Sequence, residues 1–127
     1  MIKEHNLTLD ISKLSTLNTN IKIKRRDYGT HAFSFTIADG GQEITDLSPY
    51  KFRIRFLRKD KTTTESIELD TPYYVIRSCD VEIAGDTFAE VSLYKDSTRI
   101  TTCTFKFKVI ADIDSDEGIA KDDRYPI

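Results

Sequence analysis

Apolar and polar side chains alternate strictly along several segments of this chain, and this pattern limits the folds that are open to it. A period of two places one set of side chains on each face of an extended strand. One apolar and one polar face is the pattern of antiparallel strands that cover a core on one side. Five segments show it, with apolar positions at Ile21 and Ile23; Phe33, Phe35 and Ile37; Phe52, Ile54 and Phe56; Ala89, Val91 and Leu93; and Cys103, Phe105, Phe107 and Val109.

Composition supports strands over helices. The chain has 34 β-branched residues (15 Ile, 4 Val and 15 Thr) against 15 Ala, Leu and Met. Branching at Cβ restricts χ1, which disfavours a helix and suits a pleated strand. We therefore predict an all-β fold, either an immunoglobulin-like antiparallel β-sandwich with seven or more short strands or a small barrel. If it is a sandwich, phenylalanines must fill its middle because the chain has no Trp; the candidates are Phe33, Phe35, Phe52, Phe56, Phe105 and Phe107.

The connections between these segments read as turns. The sequence Asp39-Gly40-Gly41 tolerates positive φ, and short polar links at residues 59–61 and 95–97 are consistent with hairpins. Weaker strand candidates occupy residues 65–69, 73–78 and 81–84.

A chain of 127 residues has room for one domain of ordinary size. We expect a sandwich over residues 21–111. Residues 1–20 form an arm that pairs with a neighbour or an edge strand of the domain itself, and the edge strand is favoured. Residues 112–127 carry six acidic and two basic side chains, a net charge of −4 in a chain of −2 overall. This composition predicts a linker or a segment that orders on a partner, and we expect residues 112–127 to be an acidic linker toward a further C-terminal region.

Signatures of chemistry are absent from the sequence. Neither Cys79 nor Cys103 belongs to a CxxC pair, and a disulfide between them is the less favoured alternative to two reduced thiols. The two histidines, His5 and His31, are interpreted as solvated surface residues. Alternating Asp112, Asp114 and Asp116 begin like a calcium loop, but the downstream spacing does not match one. We predict no catalytic, cofactor-binding or metal-binding residues, no cofactor and no enzymatic activity.

Basic side chains occupy the polar positions of three predicted strands. If those strands share a sheet, they form a positive stripe that could dock an acidic partner. The competing interpretation is ordinary protection of strand edges and solubility. The candidate docking residues are Lys22, Lys24, Arg53, Arg55, Lys106 and Lys108.

The order of these segments resembles a known family of viral proteins. The sequences FSFTI at 33–37, ITDLS at 44–48 and FRIRF at 52–56 precede a Lys-Asp turn, and FAEVSLYKD at 88–96 precedes RITTCTFKFKV at 99–109. Together they resemble the N-terminal domain of baseplate upper proteins from siphophages of Gram-positive bacteria.

The resemblance implies an immunoglobulin-like domain in the virion, at the tail baseplate, made in the host cytoplasm. It implies a structural adapter that attaches fibre or receptor-binding modules to the tail hub. The expected partners are the tail hub protein and a receptor-binding or fibre protein, the full-length protein is expected to be a trimer, and no nucleic acid or membrane is involved. The alternative is a carbohydrate-binding module that contacts the host surface through a platform of Tyr73 and Tyr74 with Tyr50 and Tyr94, although alternation leaves at most one of Tyr73 and Tyr74 exposed.

Overall fold

The computed structural model of the chain describes residues 2–13, 15–25, 27 and 29–111. These residues form nine β-strands and one short 3-10 helix. The strands are β1 (Lys3–Asp10), β2 (Leu17–Lys24), β3 (His31–Asp39), β4 (Gln42–Glu43), β5 (Tyr50–Leu57), β6 (Ile67–Leu69), β7 (Tyr73–Val75), β8 (Gly85–Lys95) and β9 (Thr98–Ile110), and the 3-10 helix spans Ser78–Val81.

The strands form two sheets that face each other as a sandwich. One sheet has four strands in the order β1-β3-β4, with β7 also paired to β3, and the other has five in the order β2-β9-β8-β5-β6. The all-β sandwich is thus confirmed. The pairing is not antiparallel throughout, because β1 runs parallel to β3 and β2 runs parallel to β9.

Both parallel pairings involve the first two strands of the chain. Strands β1 and β2 follow each other in the chain but lie in different sheets, so each of them borders the edge of a sheet whose order the later strands set. Alternation along a strand reports which face is buried and carries no information about the direction of the neighbour. The first ten residues contribute Leu7 and Leu9 to the core. The predicted linker at 112–127 lies outside the described residues.

Aromatic rings fill the space between the sheets. All six phenylalanines predicted for the interior are buried, each at most 4% exposed. Phe33 of β3 packs edge-on against Phe105 and Phe107 of β9, with ring centroids 4.9 and 5.3 Å apart. Such edge-to-face pairs between large rings add to the free energy of burial. These contacts join the four-stranded sheet to the five-stranded one.

Turn geometry follows the residue types at one hairpin and departs from them at another. Gly40 and Gly41, which connect β3 to β4, have φ of 63° and 88°. Asp96 and Ser97, which connect β8 to β9, also have positive φ, at 52° and 67°. Two successive residues with positive φ make the two-residue turn that matches the twist of a hairpin, and glycine or asparagine usually occupies it. This chain accommodates a serine there, at a conformational cost.

One predicted strand is wrong. Residues 81–84 form no strand; the chain turns through the 3-10 helix at Ser78–Val81 instead. The turn is fixed by Asp80, a fully buried carboxylate. It accepts hydrogen bonds from the Tyr74 hydroxyl and from the Arg77 backbone amide, the latter at 2.9 Å. A buried charge requires such partners, and burial together with Asp80 raises the pKa of the Tyr74 hydroxyl well above its usual range.

The serine in the β8–β9 turn gives a test of the backbone argument. Replacing Ser97 by Gly should raise the free energy of unfolding by about 0.5–1 kcal/mol, because glycine adopts positive φ without a Cβ clash. Urea unfolding of wild type and S97G measures it. The matched control is Thr98→Gly, one residue later in β9, which should lower the stability. Equal effects of the two substitutions would contradict the conclusion that the positive φ of Ser97 costs free energy.

Candidate functional site: the basic face of the five-stranded sheet

The six candidate docking residues lie on one surface. They occupy the outward positions of β2, β5 and β9, whose intervening residues Ile23, Ile54 and Phe107 are buried in the core. The three strands belong to the same sheet, in which β8 lies between β5 and β9. The outward surface of this sheet is called the basic face below. Its six candidates are Lys22, Lys24, Arg53, Arg55, Lys106 and Lys108.

The charges of the basic face are not equally available. The Arg55 Nε atom lies 2.6 Å from Oε1 of Glu90, directly across on β8. Arg53 donates to Ser66 Oγ at 3.0 Å and lies 3.8 Å from the Glu68 carboxylate. The arginine side of the face is therefore partly neutralised, although exposed pairs of this kind contribute under about 1 kcal/mol each.

The lysine side of the face carries more uncompensated charge. Lys22 and Lys108 are cross-strand partners in the parallel pair of β2 and β9, so two like charges sit side by side. Lys24 is exposed one pleat further along β2. Lys106 is 4.0 Å from Asp86, at the limit of an ion pair. Like charges placed opposite each other are unfavourable in an isolated sheet, and an acidic partner would relieve that repulsion.

Two further cations belong to the basic face. Lys51 and Arg99 are both paired to Tyr94, which continues the outward row of β8. The outward positions of the five strands then hold eight basic side chains against three acidic ones, Glu68, Asp86 and Glu90, a net charge of +5. Alternation with Phe52 places Lys51 on the outward face, as it does Arg53, so the sequence pattern could have identified Lys51 as well. Arg99 could not be placed from sequence because a register shift separates it from Thr101.

Tyr73, Tyr74 and Tyr94 do not form a stacking platform. Tyr74 is 5% exposed and packs against Phe56 in the core. Tyr73 is 37% exposed but lies on β7 of the other sheet, whereas Tyr94 borders a shallow pocket of about 180 Å³ between Arg53, Arg55 and Arg99. The described tyrosines that are accessible thus point away from the sandwich on opposite sheets.

Contrary to the prediction, His31 is buried and His5 is half-buried against it. His31 is only 9% exposed, and its Nδ1 atom lies 2.9 Å from Nε2 of His5, with the two ring planes parallel to within 2°. The parallel pairing of β1 with β3 brings them together, and no local sequence pattern reports it. On its other side His31 Nε2 is 3.8 Å from the Asp27 carboxylate. Burial, His31 and Lys3 together lower the pKa of His5.

Cys79 and Cys103 are free thiols. Within the described residues there is no group of three or more His, Cys, Asp or Glu side chains that could hold a metal ion. The described part of the chain also forms no helix that is long and apolar enough to cross a membrane. The acidic residues at 112–116 fall outside the described residues.

The chain belongs to the family of BppU N-terminal domains, which matches residues 3–127. It is accordingly a structural domain of a phage tail baseplate, a component of the virion tail. The family predicted from the order of strands and turns is thereby confirmed.

A solved structure shares the fold. The N-terminal domain of phage TP901-1 ORF48 superposes with a TM-score of 0.63 at 19% sequence identity, over 86% of this chain and 99% of that one. At this identity the likeness establishes the fold. No curated protein sequence matches the chain.

The histidine pair predicts a dependence of stability on pH. The pKa of His5 is lower in the folded chain than the ordinary 6.5, so the unfolded state binds more protons as the pH falls below that value. The free energy of unfolding should therefore decrease between pH 7 and pH 5. Urea unfolding at both values measures the loss, and His5→Gln should reduce it. Asp10, Asp46 and Asp60, whose pKa values are lowered by hydrogen bonds, remain charged in this window. An unchanged pH dependence in the variant would contradict the assignment to this pair.

Proposed function

We propose that this domain is an adapter of the baseplate that attaches fibre or receptor-binding modules to the tail hub. The observation that carries the proposal is the charge of the basic face, +5 on one sheet of a chain with a net charge of −2. Charge concentrated on one surface orients an approaching partner and speeds its association. Family membership supports a structural role in the baseplate and motivates the tail hub protein as the partner.

The lysine side of the basic face is the proposed centre of docking. Lys22, Lys24 and Lys108 lie on adjacent strands, are exposed and have no ion-pair partner among the described residues. The partner surface is then acidic. Binding alone is the mechanism, and the full-length protein is proposed to act as a trimer that holds several modules at once.

Charge reversal tests this assignment. The variant with Lys22, Lys24 and Lys108 all changed to Glu should bind the tail hub protein of the same phage at least about tenfold more weakly, since three surface contacts worth up to about 1 kcal/mol each are turned into repulsions. Surface plasmon resonance with immobilised hub protein measures the affinity. Wild-type affinity should also fall as salt is raised, because screening shortens the reach of surface charges.

The matched control changes the same number of lysines elsewhere. Lys59, Lys61 and Lys95 are exposed and lie in or beside turns rather than among the outward positions of the basic face. Their joint reversal to Glu should leave hub binding within about threefold of wild type. If both triple variants lost the same affinity for the hub protein, the effect would be due to the net charge of the chain and not to the position of the lysines. Binding to purified Gram-positive cell walls without binding to the hub would favour the carbohydrate-binding alternative.

A further inference from the structure

Strand β9 is only partly covered by β2. The pairing of β2 with β9 begins at Leu17, opposite Phe105, and ends at Lys24, opposite Ile110. On its other side β9 pairs with β8 from Thr98 to Val109. Residues 98–104 of β9 therefore have a partner strand on one side alone within the described part of the chain. This stretch is called the open edge below.

Main-chain hydrogen-bonding groups point out of the open edge. The carbonyl of Lys106 accepts a hydrogen bond from the Thr19 hydroxyl at 2.6 Å, and that of Ile110 from the Arg25 amide at 3.0 Å. Both donors lie on the β2 side. Because main-chain groups of every second residue in a strand face the same neighbour, the N–H and C=O of Thr102 face this side as well. They have no strand to pair with among the described residues.

A cleft of about 450 Å³ opens beside the open edge. It lies between the two sheets, with β1 and β3 on one side and the start of β2 and β9 on the other. Its apolar lining comes from Leu9, Leu17, Ala38 and Cys103. A strand added to the open edge would direct every second side chain into this cleft.

Beyond Arg99, which belongs to the basic face, the open edge lacks the charges that protect other sheet edges. Residues 100–105 read ITTCTF. By contrast β2 carries Lys22 and Lys24, and β1 carries charges at both ends, Lys3 and Asp10. Charged side chains on edge strands normally prevent pairing with other chains. An edge that is uncharged over residues 100–104 and has outward main-chain groups is suited to receive a strand.

The charged groups of the cleft favour one kind of incoming segment. The Asp10 carboxylate is already occupied, since it accepts hydrogen bonds from the Gly40 and Gly41 amides at 3.0 and 2.9 Å and from Ser12. Lys13 is exposed and has no ion-pair partner among the described residues. The cleft therefore presents one available positive charge.

We propose that the open edge and its cleft bind an extended segment of a partner protein by β-strand addition. The segment is uncharged along its centre, with small apolar side chains at alternate positions that enter the cleft and a carboxylate that meets Lys13. A second copy of this chain fits less well, because the inward side chains of its own β9, such as Phe105, are committed to its own core.

A synthetic peptide tests the proposal without the natural partner. The probe is acetyl-Glu-Val-Thr-Val-Thr-Val-Glu-amide, whose two glutamates allow either strand direction. In the isolated chain the Thr102 amide should exchange its hydrogen rapidly, whereas the Cys103 amide, on the β8 side, should be protected. Addition of the peptide at about 1 mM should slow exchange at Thr102 and shift the NMR signals of Thr102, Thr104 and Lys13.

Three variants separate strand addition from other binding. Thr102→Pro removes the outward N–H and should weaken the peptide at least about tenfold, while Thr102→Ala keeps the N–H and should stay within about threefold of wild type. Lys13→Glu changes an exposed residue outside the strands. It should weaken binding of this peptide, but not binding of the analogue with Gln in place of both Glu residues.

The outcomes that overturn the proposal are distinct. A Thr102 amide that is protected in the isolated chain would mean that the edge is already paired. Signal shifts confined to Lys22, Lys24 and Lys108 would place the peptide on the basic face. An absence of binding at about 1 mM would also overturn strand addition. The proposal would fail as well if wild type and K13E each bound the Glu peptide and the Gln peptide with equal affinity.

Discussion

Contact between Phe33 and the rings of Phe105 and Phe107 holds the two sheets of this domain together. It joins the only two surfaces that the described chain can bury, the inner faces of a four-stranded and a five-stranded sheet. In a domain without tryptophan, large rings in edge-to-face contact supply the volume that two facing sheets require. Once these faces meet, every outward residue of β2, β5, β8 and β9 is committed to solvent. The basic face is thus a consequence of the core.

The first two strands give the domain its asymmetry. Because β1 joins one sheet and β2 the other, neither sheet is closed along that side, and β9 is longer than the strand that covers it. The same arrangement buries His31 against His5 through the β1–β3 pairing. Features relevant to binding and to pH response therefore concentrate where the N-terminal segment meets strands from the middle and the end of the chain.

The two surfaces differ in the physics of recognition. As proposed, the basic face would act at a distance and be weakened by salt, so it would favour orientation and rate of encounter. The open edge would act only in contact, through main-chain hydrogen bonds, apolar burial and one charge contact at Lys13. Binding at the open edge would therefore depend less on ionic strength than binding at the basic face, because only its Lys13 contact is between charges.

Local sequence was enough to assign the main strands, the buried face of each and the phenylalanine core. Alternation with a period of two is a local property, so Phe52, Ile54 and Phe56 could be assigned to the interior, and Arg53 and Arg55 to the outside, without knowing any neighbour.

The adjacency of the strands emerges only in the folded chain. Three pairs join residues far apart in the chain: Arg55 with Glu90, Lys22 with Lys108, and His5 with His31. The uncovered length of β9 likewise depends on where β2 pairs with it. The turn at Ser78–Val81 escaped prediction for a different reason: the groups that hold Asp80 belong to Tyr74 and Arg77, only six and three residues away, and alternation does not report a polar side chain that is buried with such partners. Partner, direction and register are properties of a pair of strands, and one strand's sequence does not contain them.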